Sequence, residues 1–187
     1  MNAKTVSGTV VATLLAFGGI TGCSNMHDKY PDVSGQIRNS LDQAGLKDVS
    51  VSQDRDKGVV TLKGTTTSDA DRGQAESIAK SIASAEVVSD QIAVRPPGDE
   101  STAKKVDSDL DKGIEKNFDA VLVRHKLGNS VKYDVKNGVI TLTGNVKSQW
   151  QREGVEKLAS GVPNVRQVVN ELEVKNQKAS SRASSSD

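Results

Sequence analysis

The sequence predicts an α+β protein built from two tandem copies of one small domain, each ordered helix, strand, strand, helix, strand. Three observations lead to this fold class. The heptapeptide GVVTLKG, Gly58–Gly64, recurs 80 residues later as GVITLTG, Gly138–Gly144. In each half, apolar residues follow first a helical period and then a period of two. A segment containing Pro96, Pro97 and Gly98 separates the halves. We expect each copy to form a three-stranded mixed sheet covered on one face by two helices.

The repeat extends well beyond the heptapeptide. Residues 58–94 align with residues 138–174 without a gap, and most apolar positions keep an aliphatic residue. Identical pairs outside the heptapeptide include Ser68/Ser148, Arg72/Arg152, Glu76/Glu156, Ala79/Ala159 and Val94/Val174. A repeat of fixed period and this length indicates a duplicated domain.

The first helix of each copy is predicted from one apolar stripe. The stripes are Val33, Ile37, Leu41 and Ala44 in copy one, and Leu110, Ile114, Phe118, Val121 and Leu122 in copy two. The second helices begin at Ser68 and Ser148, because each serine is followed three residues later by a residue that completes an N-terminal capping pattern. Their inner stripes are Ala75, Ile78, Ala79 and Ile82, and Val155, Leu158, Ala159 and Val162.

The hairpins of the two copies require different turns. In copy two, a two-residue turn at Asn137-Gly138 places Val135 opposite Ile140, so that the large residues share one face. In copy one, a turn formed by residues 55–58 places Val51 opposite Leu62. A two-residue turn there would direct Gln53 and Arg55 into the core, which excludes it.

The repeated glycines are predicted to be structural. A phosphate-binding loop leads from a strand into a helix and ends in Lys-Ser or Lys-Thr. Here Gly58 and Gly64 bracket a strand, as do Gly138 and Gly144. We therefore interpret all four as parts of the scaffold.

The N-terminus predicts export. Lys4 precedes an uncharged, apolar stretch that is too short to span a bilayer and ends in small residues, as a secretory signal does. Ile20-Thr21-Gly22-Cys23 resembles the bacterial lipobox, in which the cysteine is lipidated and becomes the mature N-terminus. The alternative is an ordinary cleaved signal beside a chance cysteine. Cys23 is the only cysteine, so a disulfide does not explain it. Ser24 after the cysteine implies, by that resemblance, the periplasmic face of the outer membrane.

These features divide the chain as follows: a lipoprotein signal peptide at 1–22, a lipidated tether at 23–31, copy one at 32–95, a linker at 96–105, copy two at 106–175, and a disordered Ser-rich tail at 176–187.

The composition argues against catalysis and metal binding. The two histidines, His27 and His125, lie far apart in sequence and show no metal-ligand spacing. Neither offers the buried base that a serine nucleophile needs. The net charge of +1 gives no bias toward nucleic acid. We therefore expect a protein that is not an enzyme, with no metal, no cofactor and no small-molecule substrate.

Two features of copy two are candidates for membrane or partner contact. Arg124, Lys126 and Lys132 cluster around its first loop, where copy one has fewer basic residues. Trp150 is the only tryptophan, and its counterpart in copy one is Ala70. The charges would suit anionic lipid headgroups, or they form an ordinary solvated face. The indole would enter a membrane interface or a partner's pocket, or it packs locally over the helix start.

The duplicated helix-strand-strand-helix-strand unit, with G-V-[VI]-T-L-x-G in its second strand, resembles the BON domain (bacterial OsmY and nodulation). The resemblance covers about Asp32 to Arg95 and Val106 to Lys175. It implies a non-enzymatic envelope lipoprotein that binds anionic phospholipid or envelope proteins and supports envelope integrity under osmotic or other stress. The alternative function is a periplasmic holdase-like chaperone, which large exposed apolar patches would favour.

Overall fold

A computed structural model describes residues 29–175 of the protein. The predicted signal peptide, Cys23, His27 and the Ser-rich tail lie outside these residues. The elements, in chain order, are α1 (Ser34–Gln43), β1 (Val49–Asp54), β2 (Val59–Thr66), α2 (Asp69–Ala83), β3 (Val87–Val94), α3 (Glu100–Arg124), β4 (Val131–Lys136), β5 (Val139–Val146), α4 (Gln149–Ser160), β6 (Gln167–Asn170) and β7 (Glu173–Val174).

The first domain is a three-stranded mixed sheet with its helices on one face, which confirms the predicted fold class. Strand β2 lies in the centre, antiparallel to β1 and parallel to β3. The core contains Ile37 and Leu41 of α1, Val60 and Leu62 of β2, and Ala75, Ala79 and Ala83 of α2. Alanine on α2 lets this helix approach the sheet closely, because its side chains add little bulk between the two layers.

The second domain repeats this arrangement with a break in its last strand. Strand β5 is antiparallel to β4 and parallel to both β6 and β7. At the break, the side chain of Asn170 accepts a hydrogen bond from the N–H of Leu172, at 3.2 Å. Its counterpart Asp90 accepts from the N–H of Ile92 in the same way, at 3.1 Å. Strand β3 nevertheless runs unbroken from Val87 to Val94, so only the second domain has an interrupted last strand.

Both hairpins have the predicted register. Val51 lies opposite Leu62 in the first domain, and Val135 lies opposite Ile140 in the second. Asn137 and Gly138 have φ angles of 48° and 78°, as a primed two-residue turn requires. The Asp111 carboxylate of α3 accepts hydrogen bonds from the N–H groups of both turn residues, at 2.9 and 2.8 Å.

Gly64 and Gly144 allow a close backbone approach at corresponding positions. Their φ angles are 124° and 112°. A Cβ atom on Gly64 would lie 1.9 Å from the Asp48 carbonyl oxygen, and one on Gly144 would lie 2.5 Å from that of Ser130. Since real Cβ atoms do not come so close to backbone atoms, only glycine fits here without movement of the loop.

The predicted core stripe of α3 was wrong at Leu110, a residue that is 43% exposed. Asp111, the next residue, binds the hairpin turn, so the sheet ends at this level and Leu110 lies beyond it. Helix α3 begins at Glu100, which means that the linker predicted at 96–105 overlaps the start of this helix.

Candidate membrane-contact site

The end of α3 and the start of α4 lie at the same end of the second domain. Because Val131 of β4 lies opposite Gly144 of β5, the loop that enters β4 is next to the loop that leaves β5. The N–H of Asn145 donates to the carbonyl of Ser130 across these loops, at 3.1 Å. We call this region the basic end of the second domain, and define it by Arg124, Lys126, Lys132, Lys147, Trp150 and Lys175.

Trp150 points into solvent, with 86% of the residue exposed. The first turn of α4 is closed without it: the Ser148 hydroxyl accepts from the Gln151 N–H, and the Gln151 side chain accepts from the Lys147 N–H. The indole therefore does not pack over the helix start. Val123, in the last turn of α3, is 76% exposed and adds a second apolar side chain to this end of the domain.

Five basic residues lie at the same end of the domain as these apolar residues. Arg124, Lys126 and Lys132 are exposed, as are Lys147 and Lys175, which sequence reasoning missed. The two missed lysines flank β5 and β7, and their proximity follows only from the pairing of those strands. Within residues 29–175, none of the five forms a salt bridge with an Asp or Glu side chain. Glu153 and Glu173 are also exposed in this region and reduce its net charge.

The N-terminal tether reaches the body on the first domain. The Tyr30 N–H donates to the Arg55 carbonyl at 3.2 Å, and the Arg55 Nε donates back to the Tyr30 carbonyl at 3.0 Å. The Tyr30 ring fills the space beside Gly58, where an added Cβ would lie 2.4 Å from a ring carbon. The tether is thus fixed to the hairpin turn of the first domain.

This docked tether also borders the second domain. Lys29 and Tyr30 line a cleft of about 470 Å³ together with Arg152 and Glu173. Arg152 belongs to α4, two residues after Trp150, and Glu173 pairs with Asn145 at the end of β5. The described chain therefore begins in a cleft that both domains line, and Asp54, Asp56 and Glu171 also line this cleft.

The other candidate residues show no chemical site. His125 is exposed in the loop after α3. In residues 29–175, no group of His, Cys, Asp and Glu is arranged to hold a metal ion. The helices of that range include none that is long and apolar enough to cross a bilayer.

The two domains contact each other through reciprocal positions. The Lys57 ammonium donates to the Glu171 carboxylate, and the Asn137 amide donates to the Gln91 carbonyl, both at 2.7 Å. Positions 57 and 137 correspond in the repeat, as do 91 and 171, so each hairpin turn lies against the last strand of the other domain. Between them lies a small apolar cluster of Val59, Val139 and Val169.

A second group of contacts is not reciprocal and closes the outer edge of β3. The Gln167 side-chain amide donates to the Val88 carbonyl at 2.6 Å and accepts from the Asp90 N–H at 3.0 Å. Arg166 donates to the Asp90 carboxylate at 2.9 Å. In the second domain, the last strand is covered by a residue of the same domain. Arg152 of α4 donates hydrogen bonds to the carbonyls of Asn170 and Leu172. An edge strand without such cover is a template for pairing with other chains.

Sequence reasoning missed this interface, although the repeat contained a signal. The contact residues differ between the copies: Asp90 corresponds to Asn170, Arg166 to Glu86, and Gln167 to Val87. Residues that differ between two copies at an edge strand indicate an interface to which each copy contributes a different surface. Only the structure shows that they do.

Comparisons with known proteins agree with the duplicated fold. The family model described as "BON domain" matches residues 31–96 and 102–176. The chain is 30% identical over 153 residues to Osmotically-inducible protein Y of Escherichia coli (strain K12), a match that covers 76% of this chain and 71% of that protein.

Solved structures show a weaker similarity. The C-terminal domain of CdsD, the structural protein of the type III secretion system of Chlamydia trachomatis, matches with 13% identity and a TM-score of 0.32, over 83% of this chain and all of that one. A second CdsD structure gives 15% identity and a TM-score of 0.29, over 76% of this chain and 62% of that one. Similarity at this level supports no further inference. The family model and the E. coli relative are sufficient, and the chain belongs to the BON-domain family.

Proposed function

We propose that this protein is a non-enzymatic envelope lipoprotein, anchored through Cys23, whose second BON domain binds anionic phospholipid with its basic end. The observation that carries the proposal is the 86% exposure of Trp150 on the end of the domain that also presents five basic side chains. An exposed indole beside unpaired cations suits the boundary between lipid headgroups and acyl chains.

The position of the tether supports the same orientation. Five residues lie between Cys23 and Lys29, so the six residue steps that join them span at most about 20 Å when fully extended. Lys29 lies in the cleft that Arg152 and Glu173 also line. A bilayer that holds the lipid on Cys23 would therefore lie within reach of the basic end.

Charge and apolar contact would contribute separately to binding. Each basic residue near an anionic surface contributes about 1 kcal/mol, and this contribution weakens as salt is added. Trp150 would contribute through interfacial burial, which depends little on salt. With the acyl chains on Cys23 as the main anchor, these contacts would set how the body sits on the membrane.

The biological role follows from the family. The E. coli relative is named for osmotic induction. We place this protein at the periplasmic face of the outer membrane, where contact with phospholipid, or with envelope proteins, would support envelope integrity under osmotic stress.

The test is vesicle flotation of residues 24–187, which lack the lipid anchor. Replacing Arg124, Lys126 and Lys132 together by glutamate should weaken binding to vesicles that contain phosphatidylglycerol by more than tenfold, given about 1 kcal/mol for each charge. The matched control replaces Lys104, Lys105 and Lys116, which are exposed elsewhere on α3, and gives the same net charge. If both triple variants bind alike, or if the unaltered chain does not bind, the phospholipid assignment fails and an envelope protein becomes the better candidate partner.

The anchor is tested separately. Cys23→Ser should abolish incorporation of an alkynyl fatty acid in cells, because no other cysteine is present to accept lipid. Label retained by the variant would refute lipidation at Cys23, whatever the outcome of flotation.

A further inference from the structure

We propose that Arg166 and Gln167 form a latch that holds the second domain in one orientation, so that its basic end faces the bilayer to which the first domain is tethered. This inference rests on the proposed function, and it names the residues that set the orientation. The latch consists of these two side chains and the Val88–Asp90 segment of β3 to which they bind.

A latch is needed because the anchor and the contact face belong to different domains. Tyr30 fixes the tether to the hairpin turn of the first domain, whereas Trp150 and the basic side chains belong to the second. The covalent link between β3 and α3 consists of residues 95–99 alone. Domains joined in this way move relative to each other unless their interface holds them. The direction of Trp150 therefore depends on the contacts between the domains.

The latch binds β3 as a neighbouring strand would. Gln167 presents one amide group to two outward backbone groups of β3, the Val88 carbonyl and the Asp90 N–H. Arg166 binds the Asp90 carboxylate beside them. These bonds have fixed directions, whereas the valine cluster of Val59, Val139 and Val169 is small and apolar packing is non-directional. The polar contacts thus select the orientation.

The latch exists only in one arrangement of the two copies. At the positions of Arg166 and Gln167, the first domain carries Glu86 and Val87. Val87 is exposed, and Glu86 accepts hydrogen bonds from Gln53 within its own domain. The edge of the second domain is occupied by its own Arg152. Glu86 and Val87 of the first domain therefore cannot bind the last strand of the second domain as Arg166 and Gln167 bind β3.

A second contact joins the latch to the tether. Lys57, in the hairpin turn that Tyr30 covers, binds Glu171 of the second domain. The hydrogen bond to Glu171 raises the pKa of Lys57, which favours the charged ammonium in this contact. The turn that receives the tether is therefore itself held against the second domain.

The test exchanges residues between the copies. Gln167→Val introduces the residue of the first domain at this position, and valine suits a strand. The matched control is Val87→Gln, the reverse exchange at an exposed site. Spin labels on Ser77→Cys in α2 and Ser160→Cys in α4, both exposed, report the distance between the domains in residues 24–187, which lack Cys23. We expect one narrow distance distribution in the parent and in Val87→Gln, and a distribution about twofold broader in Gln167→Val, as for domains released to move.

The lipidated full chain supplies the second measurement. In vesicles of brominated phosphatidylcholine and phosphatidylglycerol, the fluorescence of Trp150, the only tryptophan, reports its depth. Quenching should fall by about half in Gln167→Val, because a released domain spends less time facing the bilayer, and it should not change in Val87→Gln.

The two measurements separate the possible failures. A narrow distance distribution in Gln167→Val, and also when Arg166→Glu is added to it, would overturn the latch itself. A broad distribution with undiminished quenching would show that the latch holds the domains but does not orient the basic end, which also overturns the inference. If Trp150 is not quenched even in the parent, the proposed membrane contact fails, while the distance measurement still reports whether the domains are latched.

Discussion

Arg166 of the second domain binds Asp90 of the first, with 2.9 Å between the guanidinium and the carboxylate. The Asp90 side chain is 8% exposed and that of Arg166 is 35% exposed. The Arg72 Nε lies 3.6 Å from the same carboxylate oxygen. Burial raises the pKa of Asp90 above its usual value although both arginines act to lower it. The loss of hydration therefore outweighs the attraction, as is common for buried ion pairs.

This balance predicts an asymmetric result when the pair is broken. Arg166→Met should destabilise the protein by about 2 kcal/mol, because it leaves the Asp90 carboxylate buried beside one fewer partner. Asp90→Asn should cost much less, since the Asn170 side chain accepts from the N–H two residues later just as Asp90 does. The double variant should recover much of the stability that Arg166→Met loses. Urea unfolding measures all three, and a double variant no more stable than Arg166→Met would contradict this account.

The same carboxylate predicts a pH dependence. The pKa of Asp90 in the folded protein lies above the ordinary aspartate value of 3.8, so the folded state binds this proton more tightly than the unfolded state. The stabilisation that comes from this tighter proton binding is fully present below the ordinary pKa of 3.8. It is lost as the pH rises through the raised pKa of the folded protein. The parent should therefore gain stability relative to Asp90→Asn as the pH falls from 7 toward 4. Urea midpoints of the two proteins across this range provide the measurement, and a constant difference would argue against the raised pKa.

Glycine replacements should have opposite effects at two positions. Gly64→Ala should destabilise the protein by about 3 kcal/mol, because the added Cβ meets the Asp48 carbonyl oxygen and the residue has a positive φ. Gly113→Ala, in α3, should stabilise it by about 1 kcal/mol, because nothing lies within 4 Å and alanine favours a helix. Thermal unfolding distinguishes them by the direction of the shift. A Gly64→Ala variant that is as stable as the parent would mean that the close approach at Gly64 is wrong, and a destabilised Gly113→Ala variant would contradict the open space at Gly113.

The two lysines that only the structure placed at the basic end provide a fourth prediction. Replacing Lys147 and Lys175 together by glutamate should weaken binding to anionic vesicles by at least tenfold and reduce its dependence on salt. Lys80 and Lys116 are exposed on other helices, and replacing them gives a control of equal net charge. Vesicle flotation at several salt concentrations provides the comparison. Binding that depends on Arg124, Lys126 and Lys132 but not on this pair would confine the contact to the loop after α3.

Much of the fold could be read from the sequence because it depends on local signals. The turn at Asn137-Gly138 determines the register of its hairpin, and Ser68 and Ser148 mark the start of their helices. The internal repeat predicted two copies of one domain, and the motif G-V-[VI]-T-L-x-G indicated the BON family. Leu110 is the exception within one domain. Its place in an apolar stripe is a local property, but its burial depends on where the sheet ends.

What the sequence determined by itself was therefore the elements, the pairing within each domain and the residues available for contact. The tertiary structure alone decided which distant residues meet. Lys147 and Lys175 join the basic end through strand pairing, and Trp150 is exposed because Ser148 and Gln151 already close the helix start. The meeting of Gln167 with the edge of β3 depends on the packing of one whole domain against the other. The periodicity of hydrophobic residues carries information about neighbours in one strand or helix, whereas polar contacts between domains follow no period.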